Sequence, residues 1–255
     1  MVVVGDSPFE VAAAEAATPS IRRLWLRPLA EALPFRPGQY VQLRDSADAL
    51  PPRSYSVANA PRPDGLLSLL VARVTGGTTS NWANDALAVG DEVLVSGPFG
   101  AFVDDPLATA PALYLAAGAG YAPVRALLEA ALAAERRSSL ALVFSARTEA
   151  DVIDAGQIAA WQVRDPRFRS VRTLTGEEGR PPRGRVPEVL AGLLADLRVA
   201  PAASDVFIAG APGFVQDCGA AVRALGARPA AVHTEAFVLE PQPWRDVVPG
   251  RGRGR

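Results

Sequence analysis

The pattern of apolar residues changes close to residue 110, and this change constrains the fold more than any other feature of the sequence. Before it, short apolar and aromatic segments are separated by proline- and glycine-rich turns such as RPGQ (36–39) and PRPDG (61–65). After it, fully apolar segments alternate with helical runs rich in alanine and leucine. The first pattern is typical of a barrel or sandwich, and the second of a parallel sheet with helices on both faces.

These two patterns predict a β + α/β protein with two domains. In the first part we predict strands at residues 21–26, 40–43, 66–74 and 93–95. In the second part we predict strands at residues 112–116, 140–144, 171–174, 205–209 and 230–234, and helices at residues 123–136, 153–161, 186–197 and 214–225. A polar, proline-containing connector at 104–111 separates the parts. We therefore predict an antiparallel β-barrel domain of residues 1–108, a parallel-sheet, Rossmann-like domain of residues 109–237 and a C-terminal tail of residues 238–255.

Composition argues against several classes of function. The 255 residues carry a formal net charge of −1, which gives no electrostatic reason to expect nucleic-acid binding. The single cysteine, Cys218, cannot supply the four thiolates of an iron–sulfur cluster, and with one histidine, His233, we expect no metal site. No segment approaches the ~18 apolar residues of a membrane span, and no secretory signal is apparent, so we expect a cytoplasmic protein with no membrane partner.

Two glycine-rich segments precede predicted helices. In AAGAGYAPV, Gly118, Gly120 and Pro123 follow a strand and open a helix, where free backbone N–H groups and the helix dipole favour a pyrophosphate. Proline replaces the third glycine of the usual dinucleotide fingerprint, and a plain glycine-rich turn is the alternative interpretation. The segment TGGTTSNW (75–82) precedes a short helix predicted at 81–87. Ser80 would cap this helix, and the free amides of the helix would hold another phosphate. Taken alone, the segment is better interpreted as a capped surface turn.

The segment RSYS (53–56) concentrates a cation, a phenol and two hydroxyls in one short strand. Strand alternation would place Arg53 and Tyr55 on one face and Ser54 and Ser56 on the other. A guanidinium suits a phosphate, and a phenol ring can stack on a planar ligand. The pair therefore favours a flat, phosphate-bearing cofactor over a merely exposed hairpin strand, although Ser56 would reach the same ligand only through a bend.

The motifs taken together resemble the ferredoxin–NADP reductase superfamily. RSYS, GGTTS, GPFG, GAGYAP, AGAPGF and HTEAF occur in that family's order and rough spacing, over about residues 9–237. The chain is most similar to the flavin- and pyridine-nucleotide-binding module of bacterial oxygenase reductases of the phenol and benzoate type. The resemblance implies a barrel that binds FAD, with FMN less expected, and a second domain that binds NADH or NADPH. Hydride would pass to the flavin, and electrons to a separate ferredoxin or oxygenase component.

The resemblance also implies roles for individual residues. Arg53 would pair with the flavin phosphate, Tyr55 would pack beside the ring, and Ser56 would lie near the reacting flavin nitrogen. Glu235 and Phe237 would lie beside the flavin, so Ser56, Glu235 and Phe237 are the predicted catalytic residues. The other predicted cofactor-binding residues are Ser54, Val71, Ala72, Arg73, Val74, Gly76, Gly77, Thr79, Ser80, Gly118, Gly120, Pro123, Gly210, Ala211 and Pro212.

The choice of cofactors rests on weaker signals. Arg147 follows the second strand of the nucleotide domain, where a 2′-phosphate would lie, and so favours NADPH, although a solvated loop arginine is an equally good interpretation. FAD is favoured over FMN because an extension at residues 238–248 could meet an adenosine half. Isolated acidic residues such as Glu129 and Asp154 are interpreted as solvated helix positions.

The sequence departs from the family in two ways. Ala209 stands where the family has a cysteine that helps to position the nicotinamide, and Cys218 is too distant to replace it. With one cysteine the chain also lacks the ferredoxin domain that many relatives carry, so electrons would leave the flavin directly for a separate partner. Two alternatives stay open: a free-flavin reductase, and a flavin-binding, non-catalytic adaptor subunit whose nucleotide site has decayed.

Overall fold

The computed structural model describes residues 5–47, 49–176 and 184–237, so the predicted C-terminal tail and the extension at 238–248 lie outside the described residues. The first part forms one six-stranded antiparallel sheet in the order β4-β3-β6-β1-β2-β5. Its strands are β1 (Ser7–Thr18), β2 (Ile21–Pro28), β3 (Tyr40–Asp45), β4 (Arg53–Ser56), β5 (Leu67–Ala72) and β6 (Glu92–Phe99), with helix α1 (Thr78–Asp85) between β5 and β6.

This sheet curls until its two edge strands approach each other. Val57, which directly follows β4, forms an antiparallel bridge with Leu69 of β5. Inward-facing residues alternate along the strands, as Val41 and Leu43 do on β3, and both are fully buried. The predicted antiparallel barrel is therefore confirmed.

The second part is a five-stranded parallel sheet in the order β11-β10-β7-β8-β9. Its strands are β7 (Ala112–Ala117), β8 (Leu140–Ala146), β9 (Phe168–Leu174), β10 (Asp205–Gly210) and β11 (Val232–Ala236), and its helices are α2 (Tyr121–Ala134), α3 (Ala155–Arg164), α4 (Val186–Leu197) and α5 (Pro212–Ala224). Helices α2 and α3 cover one face and α4 and α5 the other, each over its own apolar core. The predicted Rossmann-like sheet is confirmed, and its strand order reverses between β7 and β10, where such sheets bind ligands.

Several predicted boundaries were wrong by two or three residues. The helix predicted at 81–87 begins at Thr78, and the helix predicted at 123–136 begins at Tyr121. Ser80 does not cap α1, because Gly76 adopts a left-handed φ of 73° and the extended residue Gly77 becomes the N-cap. The strand predicted at 66–74 ends at Ala72, so two of the residues predicted to contact the cofactor from a strand, Arg73 and Val74, lie beyond it.

The two parts share an apolar joint. The core under α2 and α3 extends to Ile21, Ala58 and Leu70 of the barrel. Phe102, in the connection between the sheets, packs edge-on against Phe207 of β10 at 5.8 Å. The antiparallel sheet ends at Phe99 and the parallel sheet begins at Ala112, while the division between residues 108 and 109 stays a prediction.

The structure contradicts the prediction that Asp154 is a solvated helix position, since its side chain is 11% exposed, while Glu129 on α2 is 36% exposed but bonded across the joint. A carboxylate oxygen of Glu129 accepts the backbone N–H of Ala60 from the barrel at 2.8 Å, and Asp154 pairs with Arg23 of the barrel at 2.9 Å. Local sequence could not reveal these contacts, because both partners come from the other part of the chain. Within the described ranges, no helix is long and apolar enough to cross a membrane, and no three His, Cys, Asp or Glu side chains are grouped to hold a metal ion.

Candidate functional site

The joint brings the end of β4 to the end of β11. Ser56, 3% exposed, donates a hydrogen bond from its hydroxyl to Glu235 Oε1 at 3.3 Å. The backbone N–H of Phe237 donates to the carbonyl of Gly210 at 2.9 Å, which holds Phe237 beside the carboxyl end of β10. The three predicted catalytic residues therefore gather where the barrel meets the carboxyl edge of the parallel sheet.

Burial controls the protonation of Glu235. Loss of solvent raises the pKa of its carboxyl to about 7, and the hydrogen bond from Ser56 opposes this by favouring the charged form. A carboxyl with a pKa near neutrality can both hold and release a proton under physiological conditions. The pair is thus a proton-holding group at the joint between the two parts.

The RSYS strand keeps the predicted alternation. In the β3–β4 pair, Tyr55 stands opposite Val41 and Arg53 opposite Leu43, so these side chains share the face of the barrel core. Ser56 lies on the other face, and Ser54 is exposed. A ligand contacting both Tyr55 and Ser56 would have to lie along the free edge of β4 or across its end.

The side chains of Tyr55 and Arg53 have different surroundings. Tyr55 packs against the barrel core, and burial raises the pKa of its phenol to about 12 against a smaller opposing effect of Arg53, so the phenol stays neutral. Arg53 is half-buried and donates from Nη1 to the carbonyl of Pro52 at 3.0 Å. A guanidinium carries five N–H donors in a planar fork, a geometry that a phosphate can accept.

The glycine–hydroxyl turn before α1 is tied directly to the segment before β4. Thr79 is 1% exposed and its hydroxyl donates to the carbonyl of Pro51 at 2.6 Å, so this predicted cofactor ligand also serves the fold. Around Gly76, nothing lies within 4 Å of the position that a Cβ would take. No side chain caps α1, so the amides of its first turn are not used in that way.

Two polar atoms in the first turn of α1 are buried without a protein partner: the hydroxyl of Ser80 and the side-chain oxygen of Asn81. Buried polar groups normally have partners, so an unpartnered pair in this turn fits a bound polar ligand. The Ser80 hydroxyl lies beside Gly77, so contact with a phosphate would require rotation about its Cα–Cβ bond. Asn81 is not among the predicted cofactor-binding residues, although it directly follows Ser80 in the sequence.

The segment 71–74, predicted to touch the cofactor, is partly engaged elsewhere. Val71 belongs to the barrel core, while Ala72 packs on the core under α2 and α3. Arg73 forms an ion pair with Asp85 of α1 at 2.6 Å, and its backbone N–H donates to the backbone carbonyl of Ser20 at 2.8 Å. The carbonyl of Val74 accepts the N–H of Gly77 at 2.9 Å. Cofactor contacts from this segment stay a prediction.

The two glycines between β7 and α2 serve different purposes. Gly118 opens a short 3-10 turn with a left-handed φ of 52°, and nothing lies within 4 Å of where its Cβ would be. At Gly120, by contrast, a Cβ would run into the carbonyl of Ala209, so glycine is needed there for packing. Pro123 is buried in the first turn of α2, as its fixed φ permits. Gly118 is therefore the glycine of this turn that leaves room for a ligand.

The turn from β10 to α5 forms the opposite wall. Gly210 is buried, Ala211 is the N-cap of α5 and Pro212 is the first residue of the helix. Ala209 belongs to the core under α2 and α3, whereas Cys218 belongs to the core under α4 and α5. Because the sheet separates the two layers, Cys218 cannot take the place of the missing family cysteine.

A cavity of about 330 Å³ lies at the carboxyl ends of β8 and β9. It is lined by Ser145, Thr175 and Arg185 and by the first residues of α4 and α5. Arg147, the predicted 2′-phosphate ligand, is exposed nearby, where its carbonyl accepts the N–H of Gly176 at 2.8 Å, but it does not line this cavity. Arg185, which lines the cavity, is not among the predicted site residues, although it is a cation immediately before the helix that follows the third strand of this sheet.

Comparison with known proteins covers both parts of the chain. Residues 8–103 match the family model described as "Oxidoreductase FAD-binding domain", and residues 114–219 match "Oxidoreductase NAD-binding domain". The chain is 33% identical over 232 residues to the ferredoxin–NAD(P)(+) reductase component of the naphthalene 1,2-dioxygenase/salicylate 5-hydroxylase systems of a Ralstonia species, covering 89% of this chain and 67% of that one.

Two further proteins extend the comparison. The ferredoxin reductase component of 3-ketosteroid-9-alpha-monooxygenase from Mycolicibacterium smegmatis is 34% identical over 223 residues, covering 86% of this chain and 60% of that protein. The crystal structure of an Amycolatopsis cytochrome P450 reductase superposes with a TM-score of 0.80 at 30% identity, covering 92% of this chain and 70% of that chain. The chain thus spans about two thirds of the length of these relatives.

Proposed function

Because this chain belongs to the ferredoxin–NADP reductase superfamily, we propose that it takes hydride from NADH or NADPH onto bound FAD and passes the electrons to a separate ferredoxin or oxygenase component. Consecutive FAD-binding and NAD-binding oxidoreductase domains support the two halves of this reaction. The single observation that carries the proposal is the contact between Ser56 and Glu235, which joins the predicted flavin side of the joint to the predicted nucleotide side.

Residues on the barrel fit an FAD. Arg53 would hold a phosphate by its planar fork of donors, and the ring of Tyr55 offers an apolar surface. The first turn of α1, with its unpartnered Ser80 and Asn81 oxygens and its uncapped amides, would receive the pyrophosphate region. FAD carries a pyrophosphate and FMN does not, so a second phosphate site on α1 favours FAD.

Residues on the parallel sheet fit a pyridine nucleotide. The open position at Gly118 would allow backbone to approach the pyrophosphate, and the first turn of α5 faces the same crevice. Arg185 and Arg147 are two candidates for contact with a 2′-phosphate if the donor is NADPH. Both cations lie at the carboxyl end of the sheet, where a 2′-phosphate would bind. NADPH and NADH both stay open as donors.

The bound cofactors supply the redox chemistry, and the chain supplies positioning and proton control. Ser56 and Glu235 would hold a proton where the two cofactors meet, with Glu235 close to half-ionised near neutral pH. Phe237 packs against the core under α2 and α3 and would limit access of water to the joint. The division at residues 108 and 109 and a cytoplasmic location, where pyridine nucleotides are available, belong to the same proposal.

Two experiments test this function. Purified protein should show a flavin absorption spectrum, and mass analysis of the ligand released on denaturation should identify FAD. Without oxygen, NADH or NADPH should bleach that spectrum, and a ferredoxin or an oxygenase component should restore it. A flavin spectrum that neither nucleotide bleaches would favour the non-catalytic adaptor, to which Ala209 points. A flavin lost on gel filtration but reduced in solution would favour the free-flavin reductase.

A further inference from the structure

Asp154 joins two arginines that come from opposite sides of the joint. Both of its carboxylate oxygens accept from Arg23 Nη2 at 2.9 Å, and Arg23 lies on β2 of the barrel. One oxygen also accepts from Arg125 Nε on α2 at 2.7 Å. The side chains of both arginines are 9% exposed and that of Asp154 is 11% exposed, so water screens these charges little.

The same cluster holds the segment that follows β4. Arg125 Nη1 donates to the carbonyl of Ala58 at 2.6 Å and to Glu129 Oε2 at 3.2 Å. Glu129 Oε2 in turn accepts the backbone N–H of Ala60 at 2.8 Å. Since Ala58 is only two residues after Ser56, these bonds fix the end of β4 against α2, the helix that begins at the Gly118–Gly120 turn. The cluster therefore connects the flavin half of the proposed site to its nucleotide half.

The cluster is complete only in one arrangement of the two parts. Moving the barrel away would separate Arg23 from Asp154 and leave it, among the described residues, only the long pair with the exposed Glu15 of the barrel, at 3.5 Å. Loss of a buried ion pair is more costly than loss of an exposed one. Arg125 is further held over the ring of Trp161 at 5.6 Å. Asp154 precedes α3 with a left-handed φ of 57° and, unlike a usual aspartate in that position, makes no side-chain bond to cap the helix. Its carboxylate is used for the joint instead.

We propose that Asp154 is a positioning residue, which fixes the angle between barrel and nucleotide domain and thereby the distance across which hydride passes. The kinetic part of this inference rests on the proposed function. Hydride transfer needs reacting atoms about 3–3.5 Å apart, and a displacement of about 1 Å can slow such a step about 100-fold. The charged cluster would set this distance through contacts between the two parts of the chain.

The sharpest variant is Arg23→Met, because it removes the barrel's half of the cluster and leaves Asp154 paired with Arg125. Within the described part of the barrel it removes only the long pair with the exposed Glu15 at 3.5 Å. Arg23→Lys keeps the charge but loses the fork of donors, and serves if the methionine variant does not fold. Arg167→Gln is the matched control, since Arg167 pairs with Asp165 within the nucleotide domain and is also partly buried. All variants are made in the full chain.

Two measurements are made on each variant. Spin labels on Val89→Cys in the barrel and Ala220→Cys on α5, both exposed positions, report the distance between the parts. Native Cys218 should stay unlabelled, because it is buried and burial raises the pKa of its thiol to about 12. Stopped-flow absorbance then gives the limiting rate of flavin reduction at saturating nucleotide, beside the Kd values for FAD and nucleotide.

We expect Arg23→Met to broaden the distance distribution and to lower the limiting rate about 10- to 100-fold, with both Kd values changed less than about twofold. Arg23→Lys should change the distance distribution and the limiting rate in the same directions but by less. Arg167→Gln should change neither the distance distribution nor the rate. An unchanged distance distribution in Arg23→Met, or a broadened one with an unchanged rate, would overturn the proposal. If neither nucleotide reduces the wild-type protein, the proposed function fails, while the distance measurement still decides whether the cluster fixes the domain angle.

Discussion

The hydroxyl of Ser56 lies 3.3 Å from Glu235 Oε1, a hydrogen bond between residues 179 positions apart in the chain. Ser56 ends the fourth strand of the barrel, and Glu235 lies on the edge strand of the parallel sheet. The bond exists only because the barrel packs against the carboxyl ends of that sheet. It gives the joint a titratable group that responds to the arrangement of both parts.

This group should make stability fall as pH rises towards neutrality. Burial raises the pKa of Glu235 from 4.5 to about 7, so between these values the folded chain holds a proton that the unfolded chain has released. The stability from this group is therefore fully present below pH 4.5 and lost as pH rises through about 7. Glu235→Gln should remove this loss, measured as the difference from wild type in urea unfolding free energy across that range.

Ser56→Ala provides the control for the pH prediction. Its hydroxyl favours the charged carboxylate, so removing it should raise the pKa of Glu235 further and move the loss of stability to higher pH. The pH slope of Glu235→Gln should not change when Ser56→Ala is added. Equal pH slopes for wild type and Glu235→Gln would contradict the prediction.

Hydrophobic periodicity was sufficient to predict the architecture, because each sheet imposes its own spacing on the residues that it buries. The alternation within RSYS was also predictable, since side chains on neighbouring strand positions face opposite ways. The interdomain partners of Asp154 were not, because an aspartate before a helix looks like an ordinary cap until the fold brings Arg23 to it. The start of α1 was missed for a related reason: the left-handed backbone at Gly76 decides it.

The two glycines of the β7–α2 turn should respond differently to alanine. At Gly120 the added methyl would meet the carbonyl of Ala209, and overpacking of a closed site typically costs about 1–3 kcal/mol. At Gly118 the space is open, so Gly118→Ala should lower the free energy of unfolding by only about 1 kcal/mol, the cost of its left-handed backbone. The added methyl should weaken nucleotide binding, because it occupies the open space. Urea unfolding and nucleotide titration calorimetry separate the two effects. Equal losses of stability, with nucleotide affinity unchanged in Gly118→Ala, would contradict this assignment.

Two neighbouring hydroxyl side chains at the start of α1 should have different roles, one in stability and one in FAD affinity. Thr79→Val loses the bond to the Pro51 carbonyl and should lower the free energy of unfolding by about 1 kcal/mol. The Ser80 hydroxyl has no protein partner, so Ser80→Ala should leave the stability of the FAD-free protein unchanged. If Ser80 binds a phosphate, that variant should bind FAD about tenfold more weakly in a fluorescence titration, a loss of about 1.4 kcal/mol. Unchanged FAD affinity in Ser80→Ala would remove Ser80 from the site.

The cavity beside α4 makes Arg185 a better candidate than Arg147 for contact with a 2′-phosphate. Arg185 lines the cavity at the carboxyl ends of β8 and β9, and Arg147 does not. If NADPH is the donor, Arg185→Ala should raise its Kd about tenfold and leave that of NADH within about twofold, because only NADPH carries the phosphate. The exposed pair of Arg185 with Asp217 contributes little stability, so the variant should unfold at nearly the wild-type urea concentration.

Asp217→Asn is the matched variant, because it removes the carboxylate that Arg185 contacts at 3.0 Å and keeps the cation. Because the guanidinium then has no competing anion, the Kd for NADPH should stay unchanged or fall. Arg185→Ala, in contrast, should raise this Kd. A preference for NADPH over NADH that is lost in Arg147→Ala but kept in Arg185→Ala would return the role to Arg147. A preference that survives both substitutions would mean that neither cation reads the phosphate, and that nucleotide choice is made elsewhere in the crevice.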